Sequence, residues 1–198
     1  MLILASRSPR RQELLRAAGI EFRVVPPEVE DVVPSGRRRR CAEVVRRAAL
    51  EKALQVARGA REPVLAADTI VVCEGEVMGK PASAAGAKRM LRRLSGRWHR
   101  VYTGVALVHG DRVLVGHERT EVAFQPLSKR QIDWYVDTGE PMDKAGSYAI
   151  QGKGAALIRA IRGCYTNVIG LPLPRVLGML AEFDLADKRA GRPRKRSR

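Results

Sequence analysis

Val64-Leu65-Ala66-Ala67-Asp68-Thr69-Ile70-Val71-Val72 is the stretch that decides the fold. Val64 to Ala67 read as a buried strand stopping at Asp68, and Ile70 to Val72 resume it. An apolar run of this kind belongs to an α/β sheet covered by helices. A carboxylate inside it is expensive to bury unless it is paired or bound to a metal. Two readings of Asp68 stand open. It makes a turn or caps a neighbouring helix, or it does chemistry, which in open α/β sheets gathers at strand ends.

Working towards the N-terminus, Arg37 to Arg40 is a basic run. From about Cys41 to Arg58 the apolar positions Val44, Val45, Ala48, Ala49 and Ala53 fit a helix. Lys52 lies on that helix, where it either reaches a phosphate or is, as an isolated helical lysine usually is, a surface residue. Glu28, Glu30 and Asp31 form a small acidic cluster, either ion ligands or loop charge. Phe22 to Val25 is a strand broken by Pro26-Pro27. Leu2 to Ala5 is the first strand, and Ser6-Arg7-Ser8 is a turn. Ser8 is a good N-cap and Pro9 a good first helical residue, for a helix running to about Ala18. A strand, turn and helix in this order form an anion site of free amides. Arg10 and Arg11 oppose the helix dipole there unless an anion compensates, and their planar forks match phosphate oxygens.

Towards the C-terminus, Cys73 to Met78 reads as a hairpin. Gly79-Lys80-Pro81 follows, and the stretch from Gly75 to Pro81 superficially resembles a phosphate-binding Walker loop. The glycine spacing is one residue short, however, and proline stands where a hydroxyl should bind Mg²⁺. Lys80, held between Gly79 and Pro81, still reads as a fixed phosphate contact. Ala84 to Leu94 is a helix, with Met90, Leu91 and Leu94 inward. Val101 to Val108 and Arg112 to Phe124 are strands joined by a hairpin. Ser128 caps a helix over about Lys129 to Asp137. Asp143 to Gly154 packs three glycines, two lysines, a Gln and an Asp into twelve residues. Glycines there permit close backbone approach to a ligand, and Gln151 offers donor and acceptor to a base edge. His99, His109 and His117 have no ligand spacing and read as structural or surface residues. Tyr165 to Gly170 and a last helix ending near Phe183 complete the chain.

The chain has 198 residues, enough for one α/β unit, and 45% hydrophobic residues, enough for a core. No apolar run reaches the roughly 18 residues of a membrane span, and the N-terminus lacks the pattern of a signal peptide. Three scattered cysteines, Cys41, Cys73 and Cys164, form no metal pair or disulfide framework and favour a cytoplasmic location. The net charge of +16 points to a polyanionic ligand such as a nucleotide, phosphate or nucleic acid. Residues 187–198 contribute +6 of it and read as a disordered basic tail after a folded unit of residues 1–186. The tail is either a loose nucleic-acid contact or a merely solvated end.

Four motifs in order carry a resemblance: Ala5 to Arg11, Ala67-Asp68-Thr69, Gly79-Lys80-Pro81 and Asp143 to Gly152, with Gly170-Leu171-Pro172 behind them. Together they resemble the Maf family of nucleoside triphosphate pyrophosphatases, and the variant from Asp143 to Gly152 resembles the branch acting on dTTP and UTP. The resemblance implies an α/β fold with a long twisted mixed sheet flanked by helices, in two lobes around a central nucleotide cleft. It implies a homodimer and a need for Mg²⁺ or Mn²⁺. By the same resemblance Asp68 is the proton acceptor and Arg11, Thr69 and Gln151 set base specificity. Ser6, Ser8, Arg10, Lys52 and Lys80 line the nucleotide site, and Glu30 joins Asp68 as a metal ligand. Two other readings remain: a related enzyme for 7-methyl-GTP or modified nucleotides, and a non-catalytic nucleic-acid-binding or cell-division regulator.

Overall fold

The computed structural model describes residues 1–28 and 40–183. Among them, β1 (Leu2–Leu4), α1 (Pro9–Ala17) and β2 (Phe22–Val24) are followed by α2 (Cys41–Ala57) and β3 (Val64–Cys73). Then come β4 (Glu76–Met78), α3 (Ala84–Leu94), β5 (Trp98–His109), β6 (Arg112–Phe124) and α4 (Lys129–Asp137). Three short 3₁₀ turns lead to β7 (Ile158–Arg162), α5 (Tyr165–Ile169) and α6 (Leu173–Glu182). The seven strands form one mixed sheet in the order β2-β1-β3-β5-β6-β7, with β4 added to β3. β1 is parallel to β2 and β3, and the remaining pairs are antiparallel. No helix among the described residues is long and apolar enough to cross a membrane.

The strand expected to stop at Asp68 runs straight through it. β5 pairs with β3 at every residue from Val64 to Val72, so the ladder never lapses. β3 alternates as a strand must. Val64, Ala66, Ile70 and Val72 pack under α2, whereas Leu65, Ala67, Val71 and Cys73 face the other helices. On that second face the helices form two groups, the expected two lobes. Leu65 and Ala67 meet α1 and α6, and Val71 and Cys73 meet α3 and α4. Thr69 lies between the groups.

The other edge of β3 is only partly used. β1 pairs with it at Val64 and Leu65, and β4 pairs with it from Val71 to Cys73. Between those partners, among the described residues, the sheet has a gap, and the candidate site opens there. Leu65 directs its carbonyl to that edge, accepting the amide of Ala5 at 2.8 Å. By strand alternation Ala67 and Thr69 turn their peptide groups the same way.

α2 lies hard against β5. A Cβ on Gly104 would stand 2.0 Å from the carbonyl oxygen of Val45, so only glycine permits this approach. The hairpin between β5 and β6 turns through Gly110 and Asp111 as expected. Ser128 caps α4 with a full capping box, its side chain accepting the Gln131 amide at 3.2 Å. Ser8 does not cap α1 through its side chain. Its amide instead donates to Ser6 Oγ at 3.2 Å, which turns the loop towards the gap. β7 has no counterpart in the sequence reading, because Ile-Arg-Ala-Ile-Arg is too short and too charged to alternate cleanly. The basic tail, Glu30 and residues 37–39 of the basic run lie outside the described residues.

Candidate functional site

A cleft of about 530 Å³ fills the gap in the sheet. Ser6, Ser8, Arg10, Arg11, Lys52, Asp68, Thr69, Lys80 and Gln151 all line it. Every described residue expected at the site is therefore there.

The centre is an ion pair. Lys52 Nζ stands 2.6 Å from Asp68 Oδ1, with both residues 4% exposed. The helical pattern explains how a lysine comes to be inside. Val45, Ala49, Lys52 and Ala53 fall on the buried stripe of α2. The expectation of a surface lysine is thus corrected: opposite charge on the facing strand makes burial tolerable. No hydrogen bond to Asp68 Oδ2 is formed among the described residues, and Asp68 lines the cleft.

Arg11 reaches across the first turn of α1 to three acceptors. Its Nε donates to the Gly170 carbonyl at 2.8 Å, Nη1 to Ser6 Oγ at 3.1 Å and Nη2 to Thr69 Oγ1 at 3.2 Å. Arg10 forms a 2.9 Å ion pair with Asp143, linking α1 to the glycine-rich segment. Lys144 holds the same carboxylate at 2.6 Å. Partial burial alone would push the Asp143 carboxyl up, but the bonds and charges of Lys144 and Arg10 prevail and hold it at about 2.

Gln151 sits on a loop held from both sides. Tyr135 Oη accepts the Ala149 amide at 3.0 Å and donates to Glu140 at 2.9 Å. Glu140 also accepts the amides of Lys153 at 3.0 Å and Gly154 at 2.9 Å. Burial would raise the Glu140 carboxyl; these hydrogen bonds and the nearby Lys144 charge pull it below its ordinary value. Beneath this loop, Tyr148 Oη meets His99 Nε2 at 2.7 Å, edge-on to Phe124. Burial lowers His99 to about 4 and pushes the Tyr148 hydroxyl up.

Among the described residues that line the cleft, basic ones outnumber acidic ones: Arg7, Arg10, Arg11, Lys52, Lys80 and Lys144 against Glu28, Asp68 and Asp143. The arrangement suits a compact polyanion. Among the described residues no three His, Cys, Asp or Glu side chains cluster as a self-sufficient metal site. A hard divalent ion does not need one. Mg²⁺ is commonly held by one or two carboxylates, with phosphate oxygens and water completing its shell. Asp68, with one oxygen outside the Lys52 pair, fits that donor set.

A family model described as Maf-like protein matches residues 1–183. The chain belongs to the Maf family. It is similar to the dTTP/UTP pyrophosphatase of Symbiobacterium thermophilum, with 60% identity over 185 residues, covering 92% of this chain and 93% of that one. It is 50% identical to the dTTP/UTP pyrophosphatase of Bacillus cytotoxicus, covering 92% of this chain and 95% of the relative. Among solved structures, the HAM1 protein from Coxiella burnetii shares the fold with a TM-score of 0.51 at 20% identity, covering 91% of this chain and 98% of that one. Within this Maf chain, sequence reasoning quoted Asp143 and Lys144 but gave them no role, and it missed Glu140 and Tyr135. No local spacing joins Asp143 to Arg10, which is 133 residues away.

Proposed function

We infer that this chain hydrolyses dTTP and UTP to the monophosphate and pyrophosphate. Its relatives' names support the reaction, and one observation carries the site: the buried Asp68–Lys52 pair opens into a cleft rimmed by arginines and lysines. In this reading the triphosphate lies along Arg10, Lys52 and Lys80, and the base faces Arg11, Thr69 and Gln151. Asp68 takes the proton of a water that attacks the α-phosphorus. The bond from that phosphorus to the bridging oxygen breaks, and pyrophosphate leaves with the electron pair. Negative charge grows on the leaving group as this happens. Fixed cations stabilise it without reorganising, which is commonly the largest contribution in phosphoryl chemistry. Mg²⁺ or Mn²⁺, held by Asp68 and the phosphates, would supply further neutralisation of the phosphate oxygens.

The test is pyrophosphate release from dTTP, UTP, CTP and 7-methyl-GTP with Mg²⁺ or Mn²⁺, wild type beside Asp68→Asn. Loss of a general base lowers turnover by about 10²–10⁴-fold. Wild-type turnover in the folded variant would remove Asp68 from the mechanism. Release from 7-methyl-GTP alone would keep the reaction and overturn the substrate.

A further inference from the structure

Thr69 reaches the cleft at the end of a buried row of hydroxyls. Its Oγ1 lies 2.9 Å from Thr103 Oγ1, directly opposite on β5. Thr103 Oγ1 in turn lies 3.1 Å from the backbone carbonyl of Asn167 on α5. Thr103 and Asn167 are both 0% exposed, and Thr103 does not line the cleft.

The proton order along this row is fixed by chemistry. A threonine hydroxyl has one proton and two lone pairs. The Asn167 carbonyl can only accept, so Thr103 gives its proton there. The opposite order would set the lone pairs of two buried oxygens against each other at 3.1 Å with no proton between them. Thr103 must then accept from Thr69. At the other end Arg11 can only donate, and it donates to Thr69. Thr69 has therefore committed its proton inward and one lone pair to Arg11. What it can present to a ligand is a single acceptor.

We propose that Thr103 is a positioning residue for base choice. By holding the Thr69 proton inward, it makes the cleft select a base with a ring N–H, the imide of uracil and thymine, over cytosine. Uracil and thymine carry a proton on N3, and cytosine carries a lone pair there. Against an acceptor-only Thr69 the first makes a hydrogen bond and the second faces a lone pair. Sites built to pair with a substrate donor discriminate strongly against the analogue lacking it, because the buried partner is left unsatisfied. The 5-methyl group that separates thymine from uracil does not touch this test, which agrees with relatives named for both nucleotides. The inference rests on the reaction and base placement proposed above.

The experiment compares kcat/KM for UTP and CTP in wild type, Thr103→Val and Thr103→Ser. Valine has nearly the shape of threonine but accepts no hydrogen bond, so Thr69 is freed to donate to a ligand. The Asn167 carbonyl keeps the Gly170 amide at 3.0 Å and is not orphaned. The UTP:CTP ratio falls about tenfold or more in Thr103→Val, chiefly through a rise for CTP, and is retained in Thr103→Ser. A second measurement needs no variant: wild type loses about tenfold or more on 3-deaza-UTP, where a carbon replaces N3–H. An unchanged ratio in folded Thr103→Val, a ratio lost equally in Thr103→Ser, or undiminished cleavage of 3-deaza-UTP overturns the inference. Equal cleavage of UTP and CTP by wild type would also overturn it while leaving the reaction standing. Release of pyrophosphate from no nucleotide would instead strike the reaction itself, and this inference with it.

Discussion

Separating Lys52 from Asp68 is the sharpest perturbation of this fold. At 2.6 Å and an effective dielectric of about 20, the attraction between the two charges is about 6 kcal/mol before the cost of desolvation. Much of that is offset by taking both groups out of water. The loss on removing one partner is nevertheless large, about 3–5 kcal/mol, because the survivor stays buried without a counter-charge. Lys52→Met is therefore expected to lower the melting temperature by about 6–20 °C, at about 2–4 °C per kcal/mol for a chain of this size. Asp68→Asn should fall at the low end, since the amide oxygen still accepts a hydrogen bond from Lys52. The double variant should be less destabilised than the sum of the two, by at least about 1 kcal/mol. Thermal melts on wild type, both single variants and the double variant measure this. Differencing across the cycle removes whatever else Lys52 touches. Single-variant losses that simply add, within about 0.5 kcal/mol, would show that the pair contributes nothing and that the burial argument is wrong.

Two further outcomes follow from the core. His99 titrates at about 4 in the fold and at 6.5 ordinarily. As pH falls between those values the unfolded chain binds more protons, so stability drops, by about 2 kcal/mol from this group between pH 7 and pH 5. Melts at the two pH values should show that slope in wild type and a flatter one in His99→Gln; equal slopes would clear His99 of the effect. Gly104→Ala drives a methyl group into the α2 backbone at Val45. A urea titration should show a loss of about 3 kcal/mol or more, whereas Gly59→Ala, which meets nothing within 4 Å, changes stability by no more than about 0.5 kcal/mol.

Local patterns made most of the architecture legible. The paired strands around Gly110-Asp111, the Ser128 capping box and the period of α2 are all written in neighbouring residues. So was the position of Asp68, because a carboxylate inside a β run is conspicuous. Lys52 could have been read correctly from the same helical stripe that marks Val45 and Ala49, had the pattern been allowed to outweigh the residue's charge. The rest depends on contacts between distant segments. The Arg10–Asp143 bridge, the clamp of Glu140 and Tyr135 on the Gln151 loop, and the Thr69–Thr103–Asn167 row exist only after the sheet has assembled. No composition or spacing announces them.

The gap on the β1 and β4 side of β3 has a consequence for how this cleft responds to change. Ala67 and Thr69 offer it peptide N–H and C=O groups, and no replacement of a side chain, proline apart, can delete those. A nucleotide lodged in the gap would keep such contacts in every point variant that still folds. Alanine scanning would strip the cations and the carboxylate one at a time and still find residual binding. A catalytically dead variant of this chain would consequently sequester nucleotide, holding substrate where the wild type would have released product.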